Sequence, residues 1–235
     1  MRSISARLFA GVLVMGALPI AANAATTTFG PSAYLQHGDT PDGFACEQCT
    51  LVIEDFEDNS LHPFLSMSNG QILPPNSRSG IADFVTDSVD GDDGSVDGNG
   101  NGGYSWFSSN VRTVTISFAN TVKSAGLVFT DGDYNATNVM LEAFNSSGAS
   151  IGFLSAGDLA DVTYTGETAE DTFLGFQSAD GDIASIMLSM DAGLGIEIDH
   201  IHWQDSASCV PEPNSFGLLS LAFFVLSAFR RKRLG

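Results

Sequence analysis

The chain has 235 residues, 43% of them hydrophobic, and carries a formal net charge of −19 from 28 acidic against nine basic side chains. So few Lys and Arg cannot neutralise a run of phosphates, which excludes nucleic acid as a partner. An acidic chain is either keeping itself soluble or answering to divalent cations, and the clustering of the acids decides between the two.

Residues 1–24 read as a secretory signal peptide. Arg2 and Arg7 supply the positive start, residues 8–20 the apolar stretch, and Ala22-Asn23-Ala24 a small-x-small cleavage site, leaving Ala25 as the first mature residue. The mature stretch then keeps only Arg78, Arg112 and Lys123 as basic residues, against every acid of the chain except Glu212. Residues 25–50 read as an N-terminal extension and residues 51–205 as one folded domain.

Strand-like runs follow one another through that domain, punctuated by Gly, Asn, Asp and Ser. Residues 51–56, 81–89 and 104–107 come first. In residues 111–118, Val114, Ile116 and Phe118 share one face, and Leu127 and Phe129 belong to the next strand. Val139, Leu141 and Ala143 alternate in another, as do Ile186, Leu188 and Met190, with residues 151–154 and 173–176 between them. No segment holds a 3.6-residue apolar period. The pattern predicts an all-β fold, two antiparallel sheets in a jelly-roll-like β-sandwich, with the 17 Phe supplying core bulk. In the last strand Ile196 and Ile198 fall out of phase with Ile201 and Trp203, so keeping all four inside requires an extra residue near Asp199-His200, a β-bulge that re-aims Asp199.

The acids cluster most densely between Asp87 and Gly103, where glycine alternates with Asp and Asn. Hard cations want six to eight close oxygens, which a glycine-rich chain can wrap around them. Asp90, Asp92, Asp93, Asp97, Asn99 and Asn101 are the candidate Ca²⁺ ligands, and a flexible solvated loop is the alternative. Asp97, Asn99, Asn101 and Gly102 match the first half of an EF-hand loop, but Ser108 stands where the closing Glu belongs. Asp131-Gly132-Asp133, Glu170-Asp171 and Asp180-Gly181-Asp182 read as turns between strands. Cys46 and Cys49 precede the first strand and Cys209 follows the last, so a staple to Cys209 and a local Cys46–Cys49 bridge are both open. His200 and His202 read either as a pair sharing a metal-binding face or as two exposed histidines. Tyr104 and Trp106 alternate after the glycine-rich loop and form the candidate sugar-stacking edge, whereas Trp203 suits the core.

The chain ends in residues 206–235 with Pro211-Glu212-Pro213, an apolar run over 216–229, and Arg230-Arg231-Lys232-Arg233. Fourteen apolar residues fall short of the ~20 that cross a bilayer comfortably, and the basic cluster after them sets the tail in the cytoplasm. The three parts in this order closely resemble the PEP-CTERM sorting signal of exported Gram-negative proteins. That resemblance implies a transient inner-membrane anchor through the tail, cleavage near Pro211-Glu212-Pro213 by exosortase, and a cell-surface or extracellular destination. It also implies exopolysaccharide or another carbohydrate as the partner class.

Two further resemblances touch the domain itself. Phe56-Glu57-Asp58 near its start and Ile198-Asp199 near its end look like the frame of carbohydrate-binding jelly-roll modules, which implies Glu57, Asp58 and Asp199 as ligands of a structural Ca²⁺. Glu197 through His202 resembles the Glu-x-Asp-x-x-Glu catalytic strand of a retaining glycosidase family. That chemistry needs two carboxyl groups about 5–5.5 Å apart, and His202 occupies the acid/base position. The expected activity is binding or structure, not catalysis.

Overall fold

The computed structural model describes residues 25–46, 49–77, 86–132, 137–159, 166–193 and 195–206. The signal peptide, the sorting tail with Pro211, Glu212, Pro213 and its basic cluster, and Cys209 lie outside them. So do Arg78, Asp133 and residues 81–85 of the expected 81–89 strand.

The architecture is all-β and antiparallel. Its strands are β1 (Thr26–Ala33), β2 (Val52–Glu54), β3 (Leu65–Met67), β4 (Gln71–Leu73), β5 (Ser105–Ser109), β6 (Thr113–Gly132), β7 (Val139–Asn145), β8 (Ser150–Gly157), β9 (Thr172–Ser178), β10 (Ile183–Ser189) and β11 (Gly195–Asp205). Among the described residues the helical elements are two 3₁₀ turns, His37–Asp39 and Asp90–Asp93. The strands form one hydrogen-bonded network in the order β4-β5-β11-β6-β10-β7-β8, with β1 on β9, β9 on β6, β2 on β11 and β3 on β6.

β6 organises this network. Its first part pairs with β10 on one side and β3 on the other, while its last part pairs with β11 and β9. The sequence pattern split this stretch into two strands. The structure carries it through Ala119-Asn120-Thr121 without a break, and no Gly or Pro sits there to turn the chain. The main core gathers along β6. Val114, Ile116, Phe118, Leu127 and Phe129 meet Leu141, Leu174, Phe176, Ile186, Leu188, Ile196, Ile198, Ile201 and Trp203 there, all buried.

Side chains alternate along a strand, so Val128 and Phe173 face away from that core. They pack instead with Tyr34, Phe44 and Val89 in a second, smaller cluster. This second cluster corrects the expectation that residues 25–50 form an extension. β1 pairs with β9, and Tyr34 and Phe44 are fully buried beyond it. The chain covers the outer face of β6, β9 and β11 with this segment and with the region around Val89. Residues 86–89 are therefore not a strand. Their N–H groups find partners, in order, in the Ser77 carbonyl, the Glu197 carboxylate, the Gly100 carbonyl and the Asp199 carboxylate.

The bulge in β11 is present where the apolar phase break demanded it. Asp199 pairs with Val128 and His202 with Gly126, one extra residue on the β11 side, and His200 takes a positive φ of 40°. Cys46 and Cys49 bridge each other, which leaves neither for Cys209. The resulting loop is pinned to β11 by Gln204, whose side chain accepts the Cys46 N–H at 2.9 Å and donates to the Cys49 carbonyl at 3.1 Å.

Candidate metal centre beneath the outer face of β11

β11 alternates isoleucine with ionisable residues, and both of its faces are buried. Glu197 and Asp199 are both fully buried. One Glu197 oxygen accepts the Asp87 N–H at 2.9 Å and the Ser105 hydroxyl; no donor among the described residues meets the other. Burial pushes the Glu197 carboxyl up to about 8, against the lowering effect of those two hydrogen bonds.

Around Glu197 the fold gathers four more acids. Asp131 stands directly opposite it on β6, and Asp87, Glu170 and Asp171 come from the segments that cover the face. Asp87 is fully buried and Asp171 is 1% exposed, and neither oxygen of either carboxylate has a hydrogen-bond partner among the described residues. Burial drives Asp87 well above the usual carboxylate range, with Asp171, Glu197, Asp131 and Glu170 adding like-charge repulsion. Asp171 is raised for the same reason, burial first and then Glu170, Asp90, Asp92 and Glu197. The Arg and Lys side chains of the described residues donate elsewhere. Arg112 spends its N–H groups on the Gly193 and Asp191 carbonyls, and Lys123 on that of Ala179.

The glycine-rich loop closes over this centre. Asp90 is buried and accepts the N–H groups of Asp97, Gly98 and Asn99 at 3.2, 2.9 and 3.3 Å, so it folds the loop by itself. Gly100 lies so close that a Cβ would collide with the Ser88 carbonyl and sit 2.8 Å from an Asp87 oxygen. Only glycine permits that approach.

A second group lies one step along β11. Asp92, Asp199 and His200 place one ligand atom each within 4.8 Å of one another. Asp92 accepts or faces His200 Nε2 at 3.0 Å, while Asp199 accepts the N–H groups of Val89 and of His200 at 2.9 and 2.7 Å. Burial raises Asp199 first, and the neighbouring Asp92 carboxylate adds to it. Behind His200 stands Tyr34, whose hydroxyl lies 2.9 Å from His200 Nδ1 and 3.2 Å from His202 Nε2. Burial also pushes the Tyr34 hydroxyl up and the His202 imidazole down, so both are held neutral.

These placements revise several sequence expectations. His200 and His202 are buried and share a face, which overturns the exposed reading. Asp131, Glu170 and Asp171 are buried, not turn acids, because the covering segments shut solvent away from them. Trp106 is 8% exposed and packs on Phe56, so it offers no face for a sugar ring, whereas Tyr104 keeps part of its surface in solvent. Of the expected Ca²⁺ ligands, Asp92 and Asp199 reach a common centre. Asp93 caps Ser95 and Asp58 caps Ser60; Glu57 accepts the Tyr104 N–H at 2.5 Å on the exposed side. Asp97, Asn99 and Asn101 contribute their backbone to the loop, two of them through Asp90 and Asn101 through the Asn76 N–H. Asp87, Asp131, Glu170, Asp171 and Glu197 were missed as a group. The available signal was the strict Ile-Glu-Ile-Asp alternation of β11, whose acidic face needed a charge partner once it was covered.

Fold and site together define an all-β protein with a buried acidic centre. No family model matches the chain, and no curated protein matches it. Among solved structures it is similar to a DUF4465 family protein from Bacteroides caccae ATCC 43185, at 8% identity and a TM-score of 0.26, over 75% of this chain and 94% of that one.

Proposed function

We propose that this is an exported surface or matrix protein, a jelly-roll-like β-sandwich whose two layers share β6, and that it takes up Ca²⁺ in the acidic centre around Glu197. The observation that carries the calcium assignment is the state of Asp87 and Asp171: four buried carboxylate oxygens without a hydrogen-bond partner among the described residues. An unpaired buried charge costs several kcal/mol, so such groups either hold a proton or coordinate a cation. With Glu197, Asp131 and Glu170 the centre offers only oxygen donors. That suits Ca²⁺, which takes six to eight oxygens in flexible geometry, better than Mg²⁺, which keeps its waters, or Zn²⁺, which prefers nitrogen and sulfur.

The address comes from the PEP-CTERM-like tail: passage through the inner membrane, cleavage by exosortase and delivery to the outside. The same resemblance supports exopolysaccharide as the partner, with Tyr104 the remaining stacking residue of the pair first considered. A purely structural role is the second reading, favoured by the burial of Trp106. A catalytic role is not assigned, since the position of the proton donor holds a buried, neutral His202.

The test is calorimetric titration of Ca²⁺ into chelator-treated full-length protein, with melting followed in parallel. The expected result is saturable uptake and a higher Tm, both abolished in the Asp87→Asn/Asp171→Asn double variant. Absence of uptake at millimolar Ca²⁺, the affinity range of extracellular calcium modules, overturns the calcium assignment. A glycan array with and without Ca²⁺ then separates carbohydrate binding from a structural role.

A further inference from the structure

We infer that the cleft between the β3–β4 turn and the β5–β6 turn binds an uncharged sugar unit of a polysaccharide. The inference deepens the carbohydrate reading proposed above, on which it rests for the partner class. It does not depend on the calcium assignment.

The cleft lies at the end of the strand order, where β4 pairs with β5 and with no further strand among the described residues. It has a volume of about 450 Å³ and is lined by Asn69, Gly70, Gln71, Phe107, Ser109 and Val111. That volume falls within the roughly 300–1,000 Å³ of small-molecule sites. Gln71 stands opposite Phe107 on β5, and Phe107 stands opposite Glu197 on β11, so the three share the outer face of the sheet. Phe107, only 2% exposed, thus separates the cleft from the acidic centre.

Two tight turns fix the rims. Asn69 and Asn110 take left-handed φ values of 55° and 59°, a conformation Asn tolerates better than most side chains. The first turn is tied to β6 twice. The Ser68 N–H donates to the Thr115 carbonyl at 3.0 Å, and the Ser68 hydroxyl oxygen accepts the Thr115 N–H at 2.9 Å. Gly70 packs directly on β5, since a Cβ there would collide with Trp106 Nε1 and Ser108 Oγ. At the second turn the Asn110 amide donates to Ser109 Oγ at 2.8 Å, which leaves the Ser109 proton for a ligand. Just beyond, Arg112 is held to the Gly193 and Asp191 carbonyls at 3.2 and 3.0 Å. Rims fixed in advance lose little freedom on binding.

The lining selects the ligand. None of the six residues is charged, in a chain with 28 acidic side chains. A cation finds no carboxylate there, and an anion finds no Arg or Lys to offset the repulsion of an acidic protein. The cleft offers the amides of Asn69 and Gln71, each both donor and acceptor, and the Ser109 hydroxyl, all three exposed, beside the apolar Phe107 and Val111. A sugar ring has the matching pattern, with hydroxyls that donate and accept around its edge and C–H groups on its faces. A purely apolar ligand would take water from three polar side chains and return no hydrogen bond. Because the Phe107 ring is covered, hydrogen bonds and not stacking carry the affinity.

The experiment is an NMR titration of full-length protein with glucose hexasaccharides of β-1,3, β-1,4 and α-1,6 linkage, and with oligogalacturonate as the acidic counterpart. The expected result is that a neutral hexasaccharide shifts the side-chain amide signals of Asn69 and Gln71 and the indole N–H of Trp106. The indole of Trp203, in the main core, stays in place. Gln71→Ala and Asn69→Gly each weaken affinity about three- to tenfold, the range of one net hydrogen bond. Glycine is chosen at 69 because it keeps the left-handed backbone unstrained. Ser109→Trp fills the cleft and abolishes binding. The shifts in the parent protein need no variant to fold. The proposal is overturned if sugar binding survives Ser109→Trp, or if oligogalacturonate binds more tightly than the neutral sugars. Shifts centred on Tyr104 instead remove this site and leave the carbohydrate reading standing. Absence of any shift with the three neutral hexasaccharides also overturns the proposal, and a blank glycan array then removes the carbohydrate reading with it.

Discussion

The two faces of β11 have the same burial and opposite chemistry. On the inner face Ile196, Ile198, Ile201 and Trp203 join the main core, where the removal of apolar surface from water is itself the stabilising term. On the outer face Glu197, Asp199, His200, His202 and Gln204 are just as inaccessible, but there burial is a cost that hydrogen bonds offset only in part. The inner face needs nothing but the fold. The outer face needs a cation or protons, and its contribution to stability therefore depends on conditions. Mutations and conditions that act on one face alone expose the difference.

The largest effect belongs to the inner face. Trp203 is 2% exposed and stacks on Phe64 at a ring separation of 5.8 Å. Trp203→Ala is expected to cost about 3–5 kcal/mol in urea denaturation, from lost transfer energy plus the cavity left behind. The cost should be the same with Ca²⁺ or with chelator. A calcium-dependent penalty would mean that the two faces are coupled through the strand.

Next comes the calcium increment. An ion that binds only the folded state adds about 2.7 kcal/mol at 100 times its Kd. In Asp87→Asn/Asp171→Asn that increment vanishes, and at pH 8 the calcium-free double variant should be more stable than the calcium-free parent, because an amide cannot ionise. A variant less stable than its calcium-free parent would show that the two carboxyls serve as protonated hydrogen-bond donors instead.

The inner face was legible in the sequence. Apolar residues at every second position in 111–118, 139–143 and 186–190 gave the strands, and the phase break between Ile198 and Ile201 gave the bulge. The outer face was not, because alternation shows which side chains share a face and not what covers it. A strand reading Ile-Glu-Ile-Asp is normally wet on its acidic side. Here Tyr34, Phe44 and residues 86–89 lie over it, and their packing is set by contacts 110 residues apart, such as Val89 N–H to Asp199. The glycine-rich loop reads in the sequence as a place for a cation. Its most conspicuous acids, Asp93 and Asp97, nonetheless proved to be local, and Asp90 a backbone clamp. The acids that are buried without a hydrogen-bond partner among the described residues lie two positions before a buried apolar residue, Asp87 before Val89 and Asp171 before Phe173.

The pH dependence sharpens the same contrast. Glu197 has its folded value raised to about 8, so the calcium-free fold binds more protons than the unfolded chain between the ordinary carboxylate value and pH 8. Stability is then fully present in mild acid and is lost as pH rises through that window. Asp87, Asp171 and Asp199, raised in the same direction, steepen the loss. His202 is lowered and works the other way, but only as pH falls below its ordinary value of 6.5. Between pH 6.5 and 8 the carboxylates act alone, and Glu197 by itself contributes about 2 kcal/mol of destabilisation across that interval. Calcium should flatten the slope, since it stabilises the ionised form. Glu197→Gln should flatten it in part without calcium, read as Tm against pH in chelator.

The smallest effect belongs to the far edge of the sheet. Phe153 on β8 is 57% exposed, and β8 ends the strand order, so an aromatic ring stands in solvent beside an edge that pairs with no further strand among the described residues. Such edges are templates for association between copies. Since little of the ring is removed from water on folding, Phe153→Ser should change stability by no more than about 0.5 kcal/mol. It should instead lower any self-association detected by sedimentation. A loss as large as that of Trp203→Ala would show that this ring is covered in solution, and that the edge, like the outer face of β11, has a partner the strand pattern alone does not reveal.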